Sequence, residues 1–179
     1  MDDIILTGSD PSFFQHLINT LNHEFDIKDL GNLHYFLGLE IFQTDHSIFI
    51  NQEKYTRDIL HTFGMSECKP CSTPASTKLC KNEGQLLSDP TDYRRAVGAL
   101  QYLTFTRPYI SFSVNTVCQY MHQPTTSHFS PVKRIFRYLK GTVSQGLLYQ
   151  PSTRNLLAYS DADWVGDPVD WRSVTGLFF

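Results

Sequence analysis

The apolar residues of this chain change their period along its length, and that change limits the folds open to it. Phe13, Phe14, Leu17, Ile18, Leu21 and Phe25 recur at the spacing of one helix face. Asp10 stands before them as an N-cap, and Pro11 suits the first helical position. Over 33–42 the period shortens to that of a strand, with Tyr35, Leu37, Leu39 and Ile41 on one face and His34, Phe36, Gly38 and Glu40 on the other. The polar turn Thr44-Asp45-His46-Ser47 leads into a second strand over 48–51. Helical patterns return over 52–63, 92–105, 108–122 and 131–140, with a loop through Pro70 and Pro74 between the first two. In the last helix Ser130 is expected as the cap, Pro131 in the first turn, and Gly141 as a left-handed stop. Its Val132, Ile135, Phe136 and Leu139 form an apolar stripe, while Lys133, Arg137 and Lys140 fall on another face. Strands near 146–149, 156–161 and 174–179 predict an antiparallel sheet beginning near the C-terminal end. Segregated helices and strands of this kind read as α+β.

Hydrophobic residues make up 41% of the 179, and the nine prolines are scattered, which describes a globular chain of one large or two small domains. No apolar run approaches the roughly 18 to 20 residues that span a bilayer, and no secretory leader is evident. Four cysteines in such a chain suggest reduced thiols and an intracellular setting. The net charge of −3 conceals a strong asymmetry. Residues 1–92 carry 6 basic and 14 acidic side chains, residues 93–160 carry 8 and 0, and residues 161–179 carry 1 and 4. A stretch without one carboxylate suits phosphate backbones, although a basic face solvated by water and salt reads the same way in sequence.

Several motifs bear on chemistry. Asp2-Asp3 precedes the apolar run Ile4-Ile5-Leu6, and paired carboxylates at a tight turn can hold hard divalent cations, although exposed turns are also rich in Asp. Cys68-Lys-Pro-Cys71 with Cys80 and His61 imitates half a zinc site, but the second ligand pair lacks regular spacing. No glycine-rich phosphate loop precedes a helix, so an ATP or dinucleotide site has no support.

Five blocks in order resemble one known family. They are Asp2-Asp3; Asp26-Ile-Lys-Asp-Leu-Gly-Asn-Leu-His-Tyr-Phe-Leu-Gly-Leu-Glu-Ile41; Val97-Gly-Ala-Leu-Gln-Tyr-Leu103 with Thr106-Arg-Pro108; Lys133-Arg-Ile-Phe-Arg-Tyr-Leu-Lys-Gly-Thr142; and Tyr159-Ser-Asp-Ala-Asp-Trp164. Together they resemble the Pol polyprotein of copia-type LTR retrotransposons, from the reverse transcriptase metal motif into the start of ribonuclease H. The resemblance implies that Asp2 and Asp3 are palm metal ligands for Mg²⁺ or Mn²⁺, and that Lys28 assists nucleotide binding or protonates pyrophosphate, although a solvated lysine ending a helix reads equally well. It implies that the hairpin over 33–51 is a primer grip and that Asp161 is the first ribonuclease H carboxylate and metal ligand. The basic block then becomes a thumb and connection tracking template and primer through phosphates, with Arg94, Arg95, Arg107, Lys133, Arg137 and Lys140 as contacts. Three positions depart from the family's pattern: Met1 before the Asp pair where Val is usual, Tyr109 where Asp is typical, and Trp171 where Arg is common.

The resulting expectation is a partial palm with primer-grip hairpin over 1–51, a thumb and connection-like helical region over 52–145, and the start of a ribonuclease H-like sheet over 146–179. Its partners would be an RNA template, an RNA–DNA hybrid or duplex DNA, with no membrane, together with an upstream reverse transcriptase portion. Because further palm and ribonuclease H metal ligands lie elsewhere in such proteins, the chain alone is expected to be catalytically inactive. A non-catalytic nucleic-acid-binding remnant and a pseudogene product without a selected role remain open alternatives.

Overall fold

Four helices gather most of the buried apolar side chains. The computed structural model describes residues 4–75, 84–152, 159–162 and 175–178. Within them, α2 (Glu53–Thr62), α3 (Thr91–Leu103), α4 (Ser111–Cys118) and α5 (Phe129–Gly141) enclose one core. α3 contributes Tyr93, Ala96, Val97, Leu100 and Leu103, and α5 contributes Val132, Ile135, Phe136 and Leu139. Phe136 stacks on Phe63 with ring centroids 5.1 Å apart. Fully burying a side chain of the Val, Leu or Phe kind contributes about 1.5–3 kcal/mol, so this bundle is the main source of stability.

α1 (Pro11–Glu24) forms where the sequence places it, with Asp10 Oδ1 accepting from the Ser12 and Phe13 amides at 2.9 and 3.3 Å. The Ser12 hydroxyl, followed by those two amides, holds the Asp10 carboxyl below the usual carboxylate range. None of its residues is buried: Phe13 and Phe25 are exposed and Phe14, Leu17, Ile18 and Leu21 half-buried, so the stripe does not join the main core.

The expected strand over 33–42 is interrupted. β1 (Tyr35–Phe36) turns back at Leu37 and Gly38, whose φ values of 47° and 78° make a two-residue hairpin turn, and β2 (Leu39–Thr44) follows. Leu37 is therefore an exposed tip and does not share a face with Ile41, which alone of the two is buried. β2 pairs with β3 (Ser47–Asn51) through the polar turn as the sequence predicts.

β4 (Gly146–Tyr149) was expected to open the C-terminal sheet; instead it pairs antiparallel with β3, Leu147 opposite Ile50 and Gly146 opposite Asn51. A Cβ at position 146 would collide with the Ile50 carbonyl, so glycine permits this approach. The first sheet thus runs β1-β2-β3-β4, and a separate antiparallel pair joins β5 (Tyr159–Ala162) to β6 (Thr175–Phe178).

Both ends of two helices also differ from expectation. The pattern over 108–122 resolves into a 3-10 turn, Pro108–Ile110, and the shorter α4. α5 begins at Phe129, one residue before Ser130, because a 3-10 turn at Thr126–His128 leads into it; Thr125 and His128 cap that turn reciprocally. Ser130 is therefore inside the helix. Gly141 is its last residue and has no positive φ; the chain leaves through Thr142 in a non-helical conformation at φ −133°. Pro70 packs against Gly141, 3.2 Å from where a Cβ would lie, so the glycine serves close approach rather than a left-handed stop.

Candidate nucleic-acid interface

α5 separates its two faces as the sequence predicts. Val132, Ile135, Phe136 and Leu139 are all buried, which fixes the rotation of the helix about its axis. Lys133, Arg137 and Lys140 follow one another at four- and three-residue steps and so share a side. Lys133 is exposed, while Arg137 and Lys140 are half-buried. Arg137 Nε donates to the Lys69 carbonyl at 2.7 Å, and the neighbouring Arg134 donates from Nη2 to Thr73 Oγ1 at 2.7 Å. The Cys71 amide donates to the Arg137 carbonyl at 3.3 Å and its thiol to the Arg134 carbonyl at 3.4 Å. The segment around Lys69–Thr73 therefore lies along the cationic side of α5. Lys69 and Arg134 were not among the residues singled out from sequence: Lys69 belongs to the acidic N-terminal half, and only the tertiary fold brings it here.

The other expected cations are placed differently. Arg107 is fully buried, so the expected phosphate contact is not open to it. Its guanidinium donates to the Thr142 and Val143 carbonyls, to Thr142 Oγ1 at 3.1 Å and to the Tyr109 hydroxyl at 3.3 Å. A cation there meets the carbonyl-rich, partially negative C-terminal end of α5, which takes the place of a counter-ion. Arg94 donates to the Met121 and His122 carbonyls at 3.0 and 3.3 Å, and Arg95 pairs with Asp92 at 3.4 Å. Both are exposed on the first half of α3 and remain reachable by solvent. Lys28 is exposed in the coil after α1.

Asp2 and Asp3 lie outside the described residues. Asp161 occupies β5 opposite Gly176 of β6. Among the described residues no three His, Cys, Asp or Glu side chains gather as a metal site. Cys68, Cys71 and Cys118 are free thiols, and Cys80 lies outside the described residues. Burial raises the Cys118 thiol pKa.

The first hairpin carries an open cleft of about 460 Å³ lined by His34, Tyr35, Glu40, Ile41, Phe42 and Lys54. Glu40 Oε1 accepts from the Lys54 amide at 2.7 Å, tying β2 to the first turn of α2. Below that junction, Gln52 and Thr106 form a buried hydrogen bond at 2.8 Å that joins the sheet to the end of α3.

Residues 1–77 match the family model of reverse transcriptase (RNA-dependent DNA polymerase). The chain is 47% identical over 179 residues to an uncharacterized mitochondrial protein of Arabidopsis thaliana, covering 99% of this chain and 75% of that one. It is 45% identical to the retrovirus-related Pol polyprotein from transposon RE2 of the same plant, across 98% of this chain. It belongs to the reverse transcriptase family of retrotransposon Pol polyproteins. A third relative, the retrovirus-related Pol polyprotein from transposon TNT 1-94 of Nicotiana tabacum, is 35% identical along the whole chain. This reverse transcriptase segment spans only 12% and 14% of the length of those two polyproteins, so it corresponds to a fragment of the copia-type Pol chain. No solved structure matches it. Among the described residues no helix is long and apolar enough to cross a membrane.

Proposed function

We propose that this segment is the part of a copia-type reverse transcriptase that holds the template and primer duplex, with α2 to α5 as its thumb and connection. The observation that carries the reading is α5: an apolar stripe buried in the core sets Lys133, Arg137 and Lys140 on a different side, within a sequence stretch that has no carboxylate from 93 to 160. Such a face contacts phosphates without reading bases. The hairpin over 33–51, with Tyr35 and Phe42 beside its cleft, is the primer grip of this reading, and Lys28 remains a candidate contact. The preceding residues are the edge of a palm, with Asp2 and Asp3 as its metal-binding carboxylates. The ribonuclease H start of this reading, expected over 146–179, has Asp161 as its first carboxylate; the pairing of β4 with β3 favours counting 146–149 with the first sheet instead.

On this reading the isolated chain binds RNA–DNA hybrid and performs neither templated synthesis nor hybrid cleavage with Mg²⁺ or Mn²⁺ supplied, because a single metal-ligand pair cannot build a two-metal site. A mobility-shift titration tests it. With three or four phosphates engaged, log K falls with log salt at a slope of about −3 to −4, little affected by sequence. Changing Lys133, Arg137 and Lys140 together to Gln flattens that slope. Wild type and triple variant that behave alike would refute the binding role and favour an inert remnant; primer extension abolished by Asp2→Asn with Asp3→Asn would refute the inactivity.

A further inference from the structure

We propose that the Lys69–Thr73 strap forms the second half of the phosphate-binding face, with Lys69 as a fourth cation and the strap backbone as the device that orients Arg137. This rests on the nucleic-acid reading of α5. The strap is joined to α5 at successive points along the helix: Thr73 Oγ1 to Arg134, the Cys71 thiol to the Arg134 carbonyl, the Cys71 amide and Lys69 carbonyl to Arg137, and Pro70 against Gly141. It therefore runs antiparallel to the helix and brings the exposed Lys69 beside Arg137.

Two consequences follow from the chemistry. The acceptors that the strap offers the two arginines are a neutral carbonyl and a hydroxyl, so both guanidinium charges stay available to an anion. The bond from Nε to the Lys69 carbonyl immobilises the Arg137 side chain while leaving Nη1 and Nη2 for a phosphate, and a guanidinium already held in place loses less freedom on binding. Lys69 is also the only charged residue from 68 to 75, and Glu67, the nearest carboxylate in sequence, is outside the strap. The composite face is cationic, and a hybrid's phosphate backbone is its complement.

The test is fluorescence anisotropy of the full chain with a labelled RNA–DNA hybrid over a series of potassium chloride concentrations. Lys133→Gln and Lys69→Gln are each expected to make the slope of log K against log salt shallower by about 0.9, the value of one phosphate contact. Arg137→Lys keeps the charge but loses the planar fork, so the slope should persist while affinity falls by about tenfold, the worth of one charge-assisted hydrogen bond. If Lys133→Gln flattens the slope and Lys69→Gln does not, the strap inference is wrong and the α5 reading stands. If Arg137→Lys binds as tightly as wild type, the strap does not position the guanidinium. Absence of any binding, or binding whose slope neither lysine changes, removes the α5 reading and the strap with it.

Discussion

Arg107→Met separates the two physical roles a buried arginine can have. Met keeps much of the apolar stem but supplies no donor, so the Thr142 and Val143 carbonyls lose their guanidinium partner at the end of α5. A carbonyl left unpaired where water cannot reach it costs about 1–3 kcal/mol, and these two half-buried ones fall toward the lower end. Against this, the variant no longer buries a cation, whose desolvation in proteins costs several kcal/mol. The structure decides the balance: four oxygens accept from Nη1 and Nη2, Nε alone is buried without a partner, and the negative end of a helix adds its own favourable potential, so part of that desolvation is already offset. A net loss of about 2–4 kcal/mol is expected, a large share of the 5–15 kcal/mol typical of a folded domain. Urea unfolding followed by circular dichroism measures it, with the midpoint lowered and the slope unchanged. The salt slope of hybrid binding should be that of wild type, because Arg107 does not reach the surface. A variant as stable as wild type, or more so, would show that burying the cation costs more than its hydrogen bonds return, and the capping account would fail.

Two further outcomes follow from the packing. Gly146→Val should detach β4 from β3, since its Cβ would meet the Ile50 carbonyl and lie 2.8 Å from Asn51 Cβ; faster hydrogen exchange at the β3 amides facing β4, with α3 and α5 unchanged, is the expected reading. Burial raises the Tyr93 phenol pKa well above its ordinary value of about 10, so the unfolded chain loses that proton first and stability should fall as pH rises above about 10, by about 1.4 kcal/mol per pH unit for this group. Tyr93→Phe should remove one proton's worth of that alkaline slope, while at neutral pH costing about 1 kcal/mol for the lost bond to the Val117 carbonyl; an unaltered slope in alkaline urea titrations would count against it.

Where local chemistry decides an element, the sequence is a sufficient guide. Asp10 and Pro11 start α1, the Asp45-His46 turn joins β2 to β3, and the buried stripe of α5 is the one its spacing predicts. The errors fall where a distant segment intervenes. Leu37 continues the alternating pattern of a strand, and nothing nearby announces that its carbonyl will accept from the Tyr102 hydroxyl while the chain reverses. Gly141 has the position of a left-handed stop, yet its missing Cβ is used by Pro70, far away in sequence. Tyr109, a departure from the family's usual Asp, suggests relaxed constraint when read alone. In the structure its hydroxyl accepts from Arg107 and donates to Gln145 at 2.8 Å, and its ring meets Tyr138 edge-on, so the substitution has been absorbed into the Arg107 network.

The cationic face shows why a charge count along the chain overstates some residues and overlooks others. Counted in sequence, every Lys and Arg of 93–160 contributes equally to one basic block. In space the block is sorted by what each cation touches. Arg107 turns inward to a helix end, and Arg95 finds Asp92, which lies one residue outside the block. Arg94 binds two backbone carbonyls and keeps its charge. Lys69 joins from the half of the chain that carries 14 acidic residues, because the strap is stitched to α5 by Arg134 and Arg137. Screening limits the reach of each charge to about 8–10 Å at moderate salt, so only cations sharing a surface act together on a phosphate backbone. On the proposed reading, the field that a duplex would meet is therefore set by α5 and its strap, and a carboxylate weakens it only from within that screening distance.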